Sequence, residues 1–364
     1  MSRPLAKLAT ALVLVLGMTG VSAPKAMADR MYSVSDLGTG QFTSLNDQGQ
    51  AVGTTPSNGR DPVSGLLYSD GKVTNFGTGF VPQGINNSGK MVGTATDGNS
   101  SSVVVRDAAG NTQRLGPISG AARLGINDSS QVVKSDYSET RIYSGNGQTV
   151  VTYGSNPSPA GSGSRAKVTL SAAGISDSGS ITGTASHAGV PQQLFYAGSD
   201  GIAHLLYSFV IPQTTLGTAI TPNGQILGLI SGPGEGGYFI YAPDHGTLSK
   251  LPSIEGAFRG INNSGFAVGS AQDQQTGRTG GIVWDGHSVI DLNTLIPPAS
   301  GIRIDDAIAI NGSGQVLALG WPSGHSDGFE CTFLLTPQNT PEPSTIVLFS
   351  TVVAALRFFR RKCV

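Results

Sequence analysis

Seven copies of one nine-residue phrase, starting at Leu45, Ile85, Ile126, Ile175, Ile220, Ile261 and Ile310, constrain this chain more than any other feature. A period of roughly 40 to 50 residues marks a solenoid, propeller or other repeat array, in which no unit buries its apolar face alone. The copy Ile85-Asn86-Asn87-Ser88-Gly89-Lys90-Met91-Val92-Gly93 reads as a hairpin: an apolar lead-in, a polar turn closed by glycine, and a short apolar run. The glycine supplies the positive φ that such turns require. Six copies keep it (Gly49, Gly89, Gly179, Gly224, Gly265, Gly314), and Ser130 replaces it in the third, where a strained or differently closed turn is expected. Position nine is glycine in five copies, with Lys134 and Ala318 as departures. A glycine inside a strand lets a neighbouring backbone approach closely.

A second turn signal follows each phrase, as in Ser69-Asp70-Gly71, Ala109-Gly110-Asn111 and Ser199-Asp200-Gly201, flanked by β-formers such as Leu66-Leu67-Tyr68 and Val73-Thr74-Asn75-Phe76. Two hairpins per repeat make a four-stranded unit, which is the arithmetic of a propeller blade. A helical solenoid would need apolar residues at a 3.6 period instead. The seventh repeat stops after Cys331-Thr332-Phe333-Leu334-Leu335-Thr336 and lacks its last strand, while Tyr32-Ser33-Val34-Ser35-Asp36-Leu37-Gly38 matches the missing fourth-strand pattern. The expectation is an all-β, seven-bladed β-propeller over residues 29–337, its ring closed by the N-terminal strand so that no open edge remains.

Both flanks read as targeting segments. Residues 1–28 carry Arg3 and Lys7, an apolar stretch from Leu8 to Met18, and Ala26-Met27-Ala28, the pattern of a secretory signal peptide cleaved before Asp29. Residues 338–364 carry Pro341-Glu342-Pro343, the apolar run 345–356, and a basic end containing Arg357, Arg360, Arg361 and Lys362. Basic residues after an apolar run hold that end on the cytoplasmic side. Twelve apolar residues give about 18 Å of helix against a hydrocarbon core of roughly 30 Å, so a span enlists Phe358 and Phe359 with Arg357 reaching for the headgroups.

At these residues the chain resembles the PEP-CTERM class of bacterial surface proteins, whose sorting signal joins a Pro-Glu-Pro motif, a membrane helix and a basic tail. The resemblance implies that Pro341, Glu342 and Pro343 are the recognition element, that 345–356 is a short hydrophobic helix, and that an exosortase-like membrane peptidase is the partner. The body, in phrases such as Gly84-Ile85-Asn86-Asn87-Ser88-Gly89 and Gly260-Ile261-Asn262-Asn263-Ser264-Gly265, is similar to the HAF-repeat extracellular proteins. That resemblance implies an exported, propeller-like repeat domain at the cell envelope, surface or extracellular matrix. It implies no particular biochemical activity.

The whole chain holds 22 Lys plus Arg and 23 Asp plus Glu. Without Arg3, Lys7, Lys25, Arg357, Arg360, Arg361 and Lys362, residues 29–356 hold 15 basic and 23 acidic groups, a net charge of −8. An acidic body argues against nucleic acid or an anionic membrane as partner, since both demand a cationic surface. Two cysteines, Cys331 in the last blade and Cys363 in the tail, fall on opposite sides of the expected membrane and do not pair. Cys331, beside Thr332-Phe333-Leu334, reads as a small buried hydrophobe.

Chemistry-bearing constellations are sparse. Each phrase carries at most one carboxylate, such as Asp47, Asp128 or Asp177, too few for a calcium loop, so its Asn, Ser and Gly are explained by turn formation. His187, His204, His245, His287 and His325 fall in separate repeats without metal-ligand spacing, and no cofactor motif is present. His325-Ser326-Asp327 is the sharpest local cluster, with Glu330 nearby, but neighbouring residues point in different directions and form no triad by themselves. Asp305-Asp306 is the best carboxylate pair, and glycoside hydrolysis works with two carboxyl groups. Two long connections, 155–168 and 294–305, are candidates for a functional face. The leading expectation from this sparseness is a non-catalytic surface or matrix module that binds extracellular polysaccharide or another surface protein. The alternatives are a polysaccharide hydrolase or lyase with carboxylates at the propeller funnel, for which Asp305 and Asp306 are the candidates, and a purely structural surface component.

Overall fold

The computed structural model describes residues 31–338, apart from 58, 60–61, 99, 137, 146, 154–167, 188–189, 207–213, 233–235 and 323–329. The signal segment with Ala26 and Ala28, the motif Pro341-Glu342-Pro343, the run 345–356, the basic residues Arg357, Arg360, Arg361 and Lys362, most of the 155–168 connection, and His325-Ser326-Asp327 lie outside the described residues. Tyr32–Gln338 forms one compact unit. Among the described residues no helix is long and apolar enough to cross a membrane.

Seven antiparallel sheets follow one another along the chain, each entered through its innermost strand. The inner strands are Gln41–Leu45, Val81–Ile85, Arg123–Ile126, Thr169–Ile175, Thr214–Ile220, Gly256–Ile261 and Ile302–Ile310, and each ends on the first residue of a phrase. Blade 7 takes its outer strand from the other end of the chain: Tyr32–Asp36 pairs antiparallel with Cys331–Pro337, in a register running from Tyr32 opposite Pro337 to Asp36 opposite Phe333. The Tyr32 hydroxyl also donates to the Gly314 carbonyl of the last phrase. The expected fold and its mode of closure are therefore found. One blade departs from four strands: in blade 4 the short segment Thr152–Tyr153 adds a fifth, pairing parallel with Ile202–Leu205. The chain leaving blade 3 crosses the outer edge of blade 4 there and satisfies backbone groups that would otherwise face solvent.

The apolar cores lie between blades, as repeat logic requires. Val133 and Ile142 of blade 3 cluster with Leu170, Ala172 and Phe195 of blade 4. Phe42, Leu66 and Tyr68 of blade 1 meet Leu317 and Leu334 of blade 7, and Leu227 of blade 5 meets Phe258 and Ile282 of blade 6. Each fully buried side chain of this kind contributes roughly 1.5–3 kcal/mol, so the stability of any one blade resides largely in its neighbours.

The phrase turns do more than reverse the chain. Asn46 Oδ1 accepts the Gln48 and Gln50 amides of its own turn, which is the expected local role. Its Nδ2 donates to the Asn86 carbonyl of the next blade. Asn86, Asn127, Asn262 and Asn311 repeat that step, onto Asn127, Ser176, Asn311 and Asn46 respectively, at 2.7–3.0 Å. Where Ser176 and Thr221 lack an amide, the Asp177 amide donates to the Pro222 carbonyl and the Asn223 amide to Asn263 Oδ1. All seven blade-to-blade steps thus carry a hydrogen bond at the axis, most of them buried.

The ninth-position glycines have a geometric cause. In six blades the inner strand skips one residue against the second strand, a bulge at Thr43, Gln83, Ala173, Thr218, Arg259 and Ile308. In four of these blades a Cβ on the facing residue would collide with the bulged backbone: Gly53 would meet Gln41 O at 2.2 Å, Gly93 would meet Val81 O at 2.3 Å, Gly183 would meet Ser171 O at 2.0 Å and Gly269 would meet Ala257 O at 1.9 Å, whereas Gly228 would meet the Phe239 ring and blade 7 accommodates Ala318. Blade 3 pairs without a skip, and it is the blade whose ninth residue is Lys134. That lysine is buried and reaches Asp136 at 3.0 Å and Glu139 at 3.3 Å. Burial pushes the Asp136 carboxyl up, but donors from Ser138, Ser119 and Lys134 outweigh it and hold the group well below the usual carboxylate range. Ser130 adopts φ +60°, so the third turn keeps the left-handed geometry of the glycine copies at the steric cost expected for a side chain there.

Two substitutions separate these causes. Gly265→Ala, at φ +79° with nothing near the added Cβ, is expected to cost about 1 kcal/mol in denaturant unfolding through backbone strain alone. Gly269→Ala should cost roughly 3 kcal/mol or more because backbone must move; equal effects would rule out the bulge explanation. At the axis, Asn86→Ala is expected to cost about 1–3 kcal/mol, since it unpairs buried groups on two blades, and Asn86→Ser, which copies Ser176, should cost less in the same measurement.

Candidate functional site

Antiparallel strands place the phrase turns at one rim of the ring and the blade-to-blade connections at the other. At the phrase rim, Asp47, Asn87, Asp128, Asp177, Pro222, Asn263 and Gly312 surround an axial depression of about 230 Å³. Ring closure thus gathers three carboxylates that the sequence keeps 49 or more residues apart. Their oxygens are engaged in the turn-to-turn bonding: Asp128 Oδ1 accepts the Asn87 amide, Asp177 Oδ1 the Asp128 amide and Asp47 Oδ1 the Gly312 amide. The Asn87 side-chain amide lies between Asp47 and Asp128 and donates to both. Desolvation first, and then the charges of Asp128 and Asp47, push the Asp177 carboxyl up. Among the described residues no group of three His, Cys, Asp or Glu is arranged to hold a metal ion. This rim is a structural floor.

The other rim carries the reactive constellation. Between blades 6 and 7 a cavity of about 440 Å³ is lined by Arg259, Arg278, Arg303, Asp305, Asp306 and Glu330, with Ser270, Thr279 and Leu319. Four local features deliver these groups. Arg259 is the bulged residue of the blade 6 inner strand. Arg278 ends the connection between the second and third strands of blade 6, and Glu330 ends the corresponding connection of blade 7. Arg303 and Asp305 close the long 294–305 connection, at the start of the inner strand Ile302–Ile310, after two 3-10 turns, Leu292–Thr294 and Pro298–Ser300.

The Asp pair owes its geometry to a second irregularity in its inner strand, which no other inner strand shows among the described residues. The inner strand of blade 7 has the common bulge at Ile308 and a second one at Asp305, with Ile304 opposite Gly320 and Asp306 opposite Leu319. Consecutive residues of a regular strand point to opposite faces; a bulge cancels that alternation locally. Both carboxylates therefore reach the same cavity. Gly320 again faces the bulge, where a Cβ would stand 2.0 Å from Arg303 O.

Electrostatically the cavity is divided. Asp306 Oδ2 accepts from Arg259 Nε at 2.5 Å, and Asp305 Oδ2 from an Arg303 guanidinium nitrogen at 2.8 Å. The second oxygen of each, Oδ1, is buried without a hydrogen-bond partner. Arg278 is exposed at the mouth and pairs with no carboxylate among the described residues. Glu330 carries no ion pair there either; desolvation first, then the charges of Asp305 and Asp306, push its carboxyl up, against an opposing effect of Arg303. One carboxyl pushed up thus stands beside two that are ion-paired. Sequence reading named Asp305 and Asp306 but missed the arginines and the part of Glu330, which only the bulges and the blade contact bring together. His204, His245 and His287 are exposed and stand apart from this cavity, and Cys331 is buried as a core residue.

No family model matches the chain, and no curated protein sequence does. Solved structures do. The β-propeller domain of the Trilobed protease from Pyrococcus furiosus superposes with a TM-score of 0.51 at 10% identity, over 83% of this chain and 97% of that one. An oligogalacturonate lyase from Vibrio parahaemolyticus gives 0.52 at 10% identity, over 86% and 92%. An acylaminoacyl peptidase gives 0.51 at 12% identity over 87% of this chain, which spans about half, 54%, of the peptidase. At such identities the likeness shows the fold, a seven-bladed propeller. The protease domain is described as having an open velcro topology, whereas here Tyr32–Asp36 closes the last blade. The expectation of a non-catalytic binding or scaffold module is corrected. Its premise was a missing constellation of charged groups, which the cavity between blades 6 and 7 supplies, and the three similar solved structures named above are enzymes or a domain of one.

The cavity makes a prediction independent of any activity. Replacing both aspartates, Asp305→Asn with Asp306→Asn, removes two negative charges facing Glu330 and should lower the Glu330 titration midpoint followed by carboxyl NMR. A midpoint that does not move would mean that the three carboxyls do not share one site.

Proposed function

We propose that this protein is a polysaccharide-cleaving enzyme, a hydrolase or lyase, whose site is the cavity between blades 6 and 7. The observation that carries the reading is the extra bulge at Asp305, which turns two consecutive carboxylates into one cavity beside a third. In a hydrolase, Glu330 gives its proton to the glycosidic oxygen as the bond to the sugar breaks, while Asp305 or Asp306 activates the attacking water or meets the developing positive charge. In a lyase, a cavity carboxylate removes a ring proton and the same donor protonates the leaving oxygen. Export behind the 1–28 signal and sorting through Pro341-Glu342-Pro343, as the sequence resemblances imply, would deliver the site to the envelope or matrix, where extracellular polysaccharide lies.

The test is turnover of a polysaccharide panel, read both as new reducing ends and as the ultraviolet absorbance of an unsaturated product. Only the first signal identifies a hydrolase, and both together a lyase. Glu330→Gln is expected to lower the rate about 10²- to 10⁴-fold with the fold intact by circular dichroism. Because desolvation and then the charges of Asp305 and Asp306 push the Glu330 carboxyl up, the rate should fall as pH rises through that raised value. Glu330→Gln should abolish this alkaline limb. Absence of cleavage across the panel, or a Glu330→Gln enzyme as fast as the wild type, would remove the proposal.

A further inference from the structure

We propose that the cavity between blades 6 and 7 selects an acidic sugar, with Arg278 as the residue that meets the substrate's carboxylate. The inference takes the proposed glycan-cleaving site as its starting point and names its substrate class. Residues 29–356 contain ten arginines in a body of net negative charge, and three of them, Arg259, Arg278 and Arg303, line this one cavity. Two are committed: Arg259 to Asp306 and Arg303 to Asp305. Arg278 has no such partner among the described residues and stands exposed at the mouth. A guanidinium there offers planar, paired donors to a carboxylate.

Deeper in, the demand is opposite in sign. Asp305 and Asp306 line the cavity with 16% and 17% of their side chains exposed, while their Oδ1 atoms are closed to solvent and have no hydrogen-bond partner among the described residues. A ligand that satisfies the whole cavity therefore brings hydroxyl donors for the exposed parts of the two aspartate carboxylates and an anion for Arg278. A uronate unit of a polysaccharide carries both on one ring. A neutral sugar leaves Arg278 unused, and a simple inorganic anion brings no donor for either carboxylate and is repelled by both. Arg259 and Arg303 serve as positioning residues: they hold each aspartate by Oδ2 at the cavity wall.

Titration calorimetry with oligogalacturonate, its neutral methyl ester and inorganic sulfate tests this on the full protein, with Glu330→Gln as the background so that turnover does not intervene. The acidic oligomer is expected to bind at least about tenfold more tightly than the ester, one charged hydrogen-bonded contact being worth about 1.4 kcal/mol or more. Arg278→Ala should remove that preference while leaving ester binding and thermal unfolding unchanged, and Arg278→Lys should restore part of it. Equal binding of acid and ester, a preference that survives Arg278→Ala, or sulfate binding as tightly as the oligomer would each overturn the inference. The two proposals fail separately. Cleavage of neutral glycans without acid preference would sink this inference alone, whereas Arg278-dependent binding without cleavage of any polymer would sink the enzyme reading alone.

Discussion

The circle of hydrogen bonds at the axis is the constraint on which the remaining structure depends. Each phrase turn must satisfy its own backbone and also reach its neighbour, and asparagine does both, its Oδ1 folded back on the turn and its Nδ2 extended to the next blade. Because the step is taken seven times, blade spacing is set at the axis, and the apolar clusters between blades fill the angle that this spacing leaves. Serine and threonine at Ser176 and Thr221 interrupt the side-chain pattern without breaking the circle, since a backbone amide replaces the missing donor.

Bulges are the second device. One per inner strand, in six blades of seven, curves the strand, and the small residue at position nine is the imprint of that curvature on the sequence. Lys134 is the informative exception, because the side chain becomes affordable where the register runs unbroken. Blade 7 uses the same device a second time, and there the skipped residue is an aspartate with another beside it. A scaffold motif reused off its usual position has become the means of aiming two charges.

Fold and site differed in how far they could be read from the chain. Blade number, the turn glycines, the left-handed Ser130 and the origin of the closing strand were legible, because each is a local pattern repeated at a fixed period. The cavity was only half legible. Asp305 and Asp306 stood out as a pair, but their common direction depends on a register shift that no residue type announces, and Arg259 reaches them from 47 residues away across a blade contact. The phrase asparagines were read as turn formers, which they are; their donation to the next blade was hidden because its acceptor is a backbone carbonyl, which every residue possesses.

The closing strand has a temporal consequence. Tyr32 is among the first residues of the ring to be synthesised and its partners, Pro337 in the sheet and Gly314 at the axis, are among the last. Until blade 7 is complete the chain is an open crescent with a bare edge at each end, held only by neighbour contacts. Joining ends some 300 residues apart adds a loop-closure entropy that grows only logarithmically with length, yet contacts of such separation come late and make folding slow. An interruption before blade 7 is complete strands the first residues of the ring without a partner.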